Sequence, residues 1–236
     1  LAIYNRELTE TEVSTLFTGN STLNSLADAL VAHWELDGDA VDATGNGHDG
    51  VVHNAVTSVE DRLGQADSAF GFDGSSYIEV PFSPELNPVE FSFSLWVKPT
   101  VLDAGYGSPI TSRDDLPQKG YILYKNPENK WAAWTGQTNG WNGMTGSSVI
   151  ADTWEHIVVT YGSGKLSQYS NGLLKVSQKG GYTPNASKPL RIGAGSTEKA
   201  ATFHFKGAID DIRIYDRALS ATEVVALDNS IEDTRH

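Results

Sequence analysis

Residues 91–98 read Phe-Ser-Phe-Ser-Leu-Trp-Val-Lys. Large apolar residues recur here at every second position, and in an extended chain such positions share one face: Phe91, Phe93, Leu95 and Val97. Strict alternation of this kind is typical of a half-buried β-strand. The stretch therefore predicts a strand whose inner face packs against a core.

Short runs of the same kind recur on both sides of this stretch. We expect strands at Leu30–Leu36, Ala69–Phe72, Tyr77–Val80, Phe91–Lys98, Gly120–Tyr124, Trp131–Trp134, His156–Tyr161, Gln168–Ser170, Leu173–Ser177, Leu190–Ile192 and Phe203–Tyr215. Clusters of Gly, Asn, Asp, Ser and Pro separate the runs and indicate turns. Many short strands with regular turn signals predict an all-β fold, a two-sheet antiparallel jelly-roll sandwich.

Composition excludes several classes of protein. The chain has 236 residues, a formal charge of −13 and no cysteine. It therefore has no disulfide scaffold, thiolate zinc site or cysteine nucleophile. Its acidic balance argues against nucleic acid and anionic membrane surfaces, which are polyanions, and favours cations such as calcium and neutral partners. No apolar run approaches the roughly 20 residues of a membrane span, so we expect no membrane insertion.

An internal repeat relates the two ends of the chain. Residues 1–17 align with residues 212–228 at eight identical positions out of 17. Both segments read as a strand end followed by a capping box, Thr9-x-x-Glu12 in the first and Ser220-x-x-Glu223 in the second. A capping box satisfies two N–H groups at the start of a helix. Each segment therefore predicts a strand and a short capped helix.

The repeat suggests a tandem organisation. We interpret residues 1–17 as the tail of a preceding domain, 18–28 as a small, polar linker, 29–228 as a complete domain, and 229–236 as a C-terminal tail. The chain would then be a piece of a longer array. The alternative is that both segments belong to one domain and dock together.

A set of motifs in fixed order resembles a known family. The stretches that carry the resemblance are AHWELD (32–37), DATGNGHDG (42–50), FGFDG (70–74), YIEVP (77–81), FSLWVKP (93–99), WEHIVVTY (154–161), YSNG (169–172) and GAIDDIRIYDRALS (207–220). They resemble the LamG-like jelly-roll domains of the concanavalin A-like lectin/glucanase superfamily. The resemblance implies two stacked antiparallel sheets and a sugar-binding or adhesive role, without implying one ligand. Similar domains stand in tandem in large secreted or surface proteins of bacteria, so we expect an extracellular location.

The loop at residues 42–50 is a candidate calcium site. Asp42 and Asn46 supply side-chain oxygens on a glycine-rich turn, and calcium prefers six to eight oxygen ligands. The first and last strands of a jelly roll are commonly neighbours, so Asp211 or Asp210 would complete the site. The resemblance also implies a structural calcium, at positions that match Asp42, Asn46 and Asp211. The alternative is an Asx turn that needs no metal.

The segment around residues 131–143 is a candidate sugar-binding surface. Trp131 and Trp134 are three residues apart and would point to opposite faces of a strand, so we expect one buried and one exposed ring. Trp141 stands between two glycines in what reads as a loop. Sugar rings stack on aromatic rings while amides bind their hydroxyls, and the candidate set is Trp134, Trp141, Asn139, Asn142, Tyr124 and Arg191. The alternative is that the loop folds back and its tryptophan fills a satellite core.

Enzyme motifs are weak in this sequence. Glu35 and Asp37 partly match the Glu-x-Asp-x-x-Glu strand of glucanases in the superfamily, but the third acid is missing. Such enzymes need two carboxylates on one face. We therefore expect a non-catalytic carbohydrate-binding or adhesion module of a larger extracellular protein, with glycans and neighbouring LamG-like domains as partners. The alternatives are a structural spacer or protein–protein interaction domain and, third, an accessory domain of a polysaccharide-degrading enzyme or such an enzyme itself.

Overall fold

The structure, a computed structural model, describes residue 7 and residues 9–229. The strand expected at the start of the first repeat copy and the C-terminal tail from residue 230 lie outside the described residues. The helices and strands are α1 (Glu10–Asp28), β1 (Leu30–Trp34), β2 (Val51–His53), β3 (Thr57–Val59), β4 (Ala69–Asp73), β5 (Tyr77–Val80), β6 (Phe91–Pro99), β7 (Gly107–Asp115), β8 (Gln118–Lys125), β9 (Lys130–Gly136), β10 (Trp141–Ser148), β11 (Glu155–Gly162), β12 (Lys165–Ser170), β13 (Leu173–Lys179), β14 (Leu190–Ile192), β15 (Lys206–Tyr215) and α2 (Ala221–Asp228). A 3-10 turn spans Pro84–Leu86.

The strands form two antiparallel sheets. One has eight strands in the order β13-β12-β11-β6-β15-β4-β3, with β1 also paired to β15. The other has seven strands in the order β10-β9-β8-β7-β14-β5-β2. The expected all-β jelly-roll sandwich with a short C-terminal helix is confirmed. The expected pairing of the first and last strands of the domain is confirmed as well.

The core lies between the two sheets. The alternating apolar side chains of β6 are at most 1% exposed, as their spacing predicts. They pack in one cluster with residues from the inner face of the seven-stranded sheet: Ile78, Ile110, Tyr121, Leu123, Trp131 and Ile192. Because β6 is central in its sheet, between β11 and β15, its inner face meets the middle of the opposite sheet.

Four strands carry no clear sequence pattern and were not expected: β2, β3, β7 and β10. The prediction of a loop at Trp141 is wrong, because Trp141 is the first residue of β10 and pairs with Gly136 of β9. The strand reads WNGMTGSS, and its glycines and small polar residues look like a turn in isolation. Backbone pairing with β9 overrides that weak local preference, as tertiary context commonly does for strands.

The segment expected to be a linker is helical. Residues 18–28 form the later part of α1, so their small, polar composition misled the prediction. The end of the helix is held by tertiary contacts: Leu26 packs in a cluster with Val158 and Tyr215. The backbone carbonyl of Ser25 accepts a hydrogen bond from Arg217 at 2.8 Å. These contacts stabilise a segment of low intrinsic helix propensity.

The capping box of α2 forms as predicted. The hydroxyl of Ser220 accepts a hydrogen bond from the Glu223 N–H, and the Glu223 carboxylate accepts one from the Ser220 N–H. Arg217 donates to both Glu223 oxygens, at 2.6 and 3.0 Å. Hydrogen bonds from Arg217 and Ser220 lower the pKa of Glu223 to about 2. The carboxylate is therefore ionised at neutral pH and anchors the start of the helix to the end of β15.

We predict that Ser220→Ala lowers the free energy of unfolding by about 1 kcal/mol, since the substitution removes a helix N-cap. Urea unfolding followed by circular dichroism measures the change. Thr222→Ala is the matched control, because Thr222 lies in the same turn and is exposed. A Ser220 variant as stable as the control would contradict the role of the cap.

Candidate functional site

The candidate site lies on the outer face of the seven-stranded sheet, which is turned away from the core. Neighbouring residues of a strand point to opposite faces, so the residues next to Tyr121, Leu123 and Trp131 point outward. Ile122, Tyr124 and Ala132 form a second, smaller cluster there, with Trp134 and Trp141 packed against it. This outer face therefore carries an aromatic surface separate from the main core.

Trp134 owes its position to a glycine on the adjacent strand. Gly143 of β10 is paired with Trp134 of β9. A Cβ atom added to Gly143 would lie only 2.9 to 3.1 Å from three atoms of the Trp134 indole. The ring therefore fills the space that a side chain at position 143 would occupy, and it lies across β10. Trp131, three residues earlier, is fully buried in the core, so the prediction of opposite faces is confirmed.

Trp141 forms the second wall of the aromatic surface. Its ring centroid is 6.5 Å from that of Trp134, and the two planes are tilted by 44°. Its indole N–H donates to Asp115 at 3.3 Å, and the guanidinium carbon of Arg113 stands 5.6 Å from its ring centroid. Both tryptophans are half-buried. The pair is a fixed, tilted aromatic surface with polar groups beside it.

The β14–β15 loop (residues 193–205) packs over the middle of this face. Arg113 donates to both carboxylate oxygens of Glu198, at 2.7 and 3.1 Å, and to the Tyr124 hydroxyl at 3.1 Å. Although burial opposes ionisation, the hydrogen bonds from Arg113 lower the pKa of Glu198 to about 2. Burial raises the pKa of Tyr124 to about 12. The ion pair therefore fixes the loop to the sheet, and the phenol stays neutral.

The structure separates the predicted sugar-binding residues into two groups. Trp134 and Trp141 come together as a surface, and Asn139 is exposed in the turn beside them. Tyr124 and Arg191 do not reach the surface: Tyr124 is 3% exposed and Arg191 is 7% exposed. Contact of these two side chains with a sugar is therefore not supported, because rings and the loop cover them.

Arg191 and Asn142 are occupied by protein partners. Arg191 donates to Glu79 at 2.8 and 2.9 Å and to the Lys199 carbonyl at 2.9 Å. Asn142 follows Trp141 and therefore points to the other side of β10. There it donates to the Thr135 hydroxyl at 3.3 Å and accepts from Gln178 at 2.9 Å. Asn142 thus joins sheet edges instead of standing next to the Trp141 ring.

Sequence reasoning missed four residues of this site: Arg113, Asp115, Tyr106 and Phe203. Tyr106 and Phe203 are 37% and 39% exposed, and their rings contact the same aromatic cluster. Only the order of strands brings Phe203 next to Tyr106, since 97 positions separate them. No local pattern marks these residues, so the topology was needed to find them.

The residues proposed for calcium form a hydrogen-bonded corner. Asp42 accepts hydrogen bonds from His33, Thr44 and His48 through N–H and hydroxyl donors at 2.8 to 3.2 Å. Although burial opposes ionisation, these bonds hold the pKa of Asp42 below its usual value. The amide of Asn46 donates to the Val31 carbonyl at 2.8 Å. The loop thus has the hydrogen bonds of an Asx turn.

Asp211 lies in a positively charged neighbourhood. It accepts from His33 at 2.8 Å and Arg213 at 2.9 Å, and Arg62 is 3.5 Å away. Burial alone would raise the pKa of Asp211. The neighbouring Arg213, His33 and Arg62 outweigh burial and lower this pKa overall. Among the described residues no group of three or more His, Asp or Glu side chains is placed to hold a metal. As arranged, the carboxylates of Asp42 and Asp211 are held by protein donors, which favours the metal-free Asx turn over the predicted calcium site.

A Ser–His–Asp chain lies on the far face of the eight-stranded sheet. The Ser94 hydroxyl is 2.7 Å from His156 Nε2, and His156 Nδ1 is 3.2 Å from Asp228. Ser94 and His156 are each 1% exposed, and the Trp96 ring stacks on the imidazole at 4.9 Å. A substrate therefore has no access to the hydroxyl. The chain of hydrogen bonds instead ties the end of α2 to the sheet.

Comparison with known proteins places the chain in a family. A family model, Laminin_G_3, described as the concanavalin A-like lectin/glucanases superfamily, matches residues 72–225. The match covers more than half of the chain, so the chain belongs to this family, in agreement with the resemblance in its motifs. No curated protein sequence matches the chain. None of the described helices is long and apolar enough to span a membrane.

Several solved structures share the fold. Domain 4 of AbnA, a GH43 extracellular arabinanase from Geobacillus stearothermophilus solved with arabinotriose, is 24% identical, with a TM-score of 0.63 over 85% of this chain and 98% of that one. The binding domain of Paraclostridial Mosquitocidal Protein 1 is 18% identical, with a TM-score of 0.70 over 86% of this chain and 52% of that one. A structure of botulinum neurotoxin type C, whose cell entry depends on interaction with two ganglioside molecules, is 16% identical, with a TM-score of 0.69 over 89% of this chain and 53% of that one. The chain thus spans about half the length of the toxin chains.

We predict that chelation with EDTA leaves the melting temperature unchanged, because protein donors already satisfy Asp42 and Asp211. A ligand that binds only the folded state raises its stability, so a bound calcium would show itself in this measurement. A melting temperature that falls with EDTA and returns with calcium, but not with magnesium, would contradict the prediction and restore the calcium site.

We also predict that stability falls as the pH drops below about 6.5, the pKa of an unperturbed histidine. Burial lowers the pKa of His156 in the folded state, so the unfolded chain binds the proton more tightly. The contribution of neutral His156 to the free energy of unfolding is complete above pH 6.5. It is lost as the pH falls toward the pKa of His156 in the folded state. Urea unfolding of the wild type between pH 7.5 and 5.5 measures it.

The control for this pH dependence compares two variants. His156→Gln should flatten the dependence, whereas His53→Gln should keep it, because His53 stacks on Tyr77 in the other sheet. Equal flattening in both variants, or in neither, would rule out His156 as its source.

Proposed function

We propose that the chain is a non-catalytic carbohydrate-binding module that holds a glycan on the outer face of its seven-stranded sheet. The observation that carries the proposal is the pair formed by Trp134 and Trp141, 6.5 Å apart and tilted by 44°. Aromatic rings outside the main core, fixed by a glycine and an arginine, have the geometry of a stacking surface. Polar groups of the surrounding turn then bind sugar hydroxyls.

The mechanism follows from the contacts of the two rings. The Trp134 indole occupies the space beside Gly143, and Trp134 is only half-buried, so part of it is open to a ligand. Trp141 is held by Asp115 and Arg113. Both rings are therefore positioned before a ligand arrives, which reduces the ordering cost of binding. Asn139 in the β9–β10 turn is the exposed amide of the predicted set.

The comparisons support this proposal at the level of the fold. The domain of the arabinanase was solved with arabinotriose, and the botulinum structure is described by its interaction with gangliosides. These ligands belong to those proteins, and at such low identity the likeness carries the fold alone. The proposal of binding without catalysis therefore rests on the site itself. We propose an extracellular protein as the context, in which neighbouring LamG-like domains raise weak single-site affinity through effective concentration.

The carboxylates beside the site do not support glycoside hydrolysis. A glycosidase needs a carboxylic acid with a raised pKa as general acid. Glu198 has its pKa lowered to about 2 by Arg113 and is therefore an ionised anchor. We therefore propose binding without catalysis. An assay for reducing sugar on common polysaccharides tests this, and measurable turnover would contradict it.

A structural spacer is the second candidate, and one observation favours it. Both tryptophans are only half-exposed, and Trp134 makes edge contacts with Tyr106 and Tyr124 at 6.4 and 5.7 Å. The rings thus also stabilise the sheet. If the chain is a spacer, the two tryptophan rings only pack against the sheet, and no glycan binds.

We predict that Trp134→Ala and Trp141→Ala each weaken glycan binding by about tenfold, as expected for loss of one stacked ring. A glycan array with the wild type identifies a ligand, and calorimetry with that ligand measures the change. Trp154→Ala is the matched control, because Trp154 lies outside the surface and packs near Lys98. An array without any binding to the wild type would favour the spacer.

A further inference from the structure

We propose that the site takes an extended, neutral glycan chain, and that Tyr106 and Phe203 contribute further sugar-binding positions beyond the two tryptophans. This rests on the proposed carbohydrate-binding function and goes beyond it in the length and charge of the ligand. The four rings are called the aromatic strip: Trp141, Trp134, Tyr106 and Phe203. They are consecutive in space although they come from four separate parts of the chain.

The spacing of the rings is regular along the strip. Successive ring centroids are 6.5 Å apart from Trp141 to Trp134, 6.4 Å from Trp134 to Tyr106, and 5.9 Å from Tyr106 to Phe203. Each step lies within the range of aromatic rings in contact, so the four rings form one continuous aromatic surface. A single monosaccharide would contact one or two of these rings, whereas a linear chain of several units can contact all of them.

Ring orientation changes along the strip in a way that suits a twisted chain. The planes of Trp134 and Trp141 differ by 44°, and Tyr106 stands at 76° to Trp134 and 73° to Phe203. A flat crystalline polysaccharide surface would need coplanar rings. Rings that turn from step to step instead fit a single soluble chain whose successive sugars are rotated relative to each other.

Tyr106 and Phe203 are partly open to solvent. They are 37% and 39% exposed. Phe203 also has a positive φ of 53°, a conformation unfavourable for a bulky residue. A hydrogen bond from the Ser108 N–H to the Phe203 carbonyl, at 2.8 Å, holds that backbone in place. Strain that holds an aromatic ring near the surface is typical of binding sites.

A glycine makes room for the Phe203 ring beside the cluster. A Cβ atom on Gly195 would lie 2.9 Å from the Phe203 Cβ and 3.0 Å from the Tyr124 ring. Tyr124, which is buried, contacts Tyr106, Trp134 and Phe203 through ring edges at 5.1 to 5.8 Å. Tyr124 is therefore the support beneath the strip, and its role differs from the sugar contact predicted for it.

The charges around the strip indicate a neutral ligand. Arg113 is neutralised by Glu198, and Arg191 by Glu79. Lys125 is paired with Asp103 at 2.6 Å. At the Trp141 end, Asp115 is 39% exposed and shares the single charge of Arg113 with Glu198, at 3.8 Å, and the whole chain carries a charge of −13. An acidic chain, with uronic acids, sulfate or sialic acid, would meet an unfavourable field here.

The test uses calorimetry with linear oligosaccharides of two to six units from α-1,5-arabinan, β-1,4-xylan, β-1,4-glucan and β-1,4-mannan, and with oligogalacturonides as the acidic series. We expect at least one neutral series to bind, with Kd falling roughly tenfold between two and four units as rings are added. Oligogalacturonides of the same lengths should bind more weakly or not at all.

Two variants locate the additional positions. Tyr106→Ala and Phe203→Ala should remove most of the gain in affinity between two and four units. The melting temperature of each variant reports that it is folded, and Phe203→Leu provides a milder change at the strained backbone position. Trp134→Ala should weaken every length, since Trp134 lies within the strip.

The outcomes separate the two proposals. The extended-chain inference is overturned if neutral sugars bind with an affinity that does not depend on chain length. It is also overturned if the Tyr106 and Phe203 variants bind every length like the wild type. In both cases the carbohydrate-binding function stands. Stronger binding of the acidic series would overturn the neutral-ligand part. If the wild type binds none of these sugars but binds another glycan on the array, only the extended-chain inference is overturned, whereas no binding in either assay overturns both proposals.

Discussion

The pairing of Gly143 with Trp134 across β9 and β10 is the constraint on which the candidate site depends. A side chain at position 143 would occupy the place of the indole. The same register puts Trp131 in the core and Trp134 on the outer face, because the two are an odd number of positions apart. A shift of one residue would exchange these faces. The burial of Trp131 between the sheets therefore fixes the register that exposes Trp134.

Charged side chains elsewhere in the domain serve mainly to hold loops and helices to the sheets. Arg113 ties the β14–β15 loop to the sheet through Glu198, and Arg217 ties the end of β15 to α2 through Glu223. Asp211 is enclosed by basic side chains in the same way. Ionised carboxylates with low pKa values fit structural roles better than acid catalysis. The uncharged aromatic rings of the outer face form the proposed binding surface.

The sequence predicts the fold well and the site in part. The alternation in β6 and the capping box of α2 are local patterns, so they predict a strand and a helix without knowledge of the rest. The strand β10 escaped prediction because its glycines and small polar residues resemble a turn, although one of those glycines makes room for Trp134. The tie between Arg113 and Glu198 joins residues 85 positions apart. Only the topology of the sheets reveals such a contact, and the same holds for Tyr106 and Phe203.

The proposed function requires that the tilted tryptophans of the outer face contact sugar. The most direct measurement follows the six indole N–H resonances by NMR, each assigned with a single Trp→Phe variant, while a mixture of neutral arabino-, xylo-, cello- and manno-oligosaccharides is added. We expect the Trp134 and Trp141 resonances to shift together, while those of buried Trp34 and Trp131 stay in place. Unchanged resonances for both Trp134 and Trp141 would contradict it.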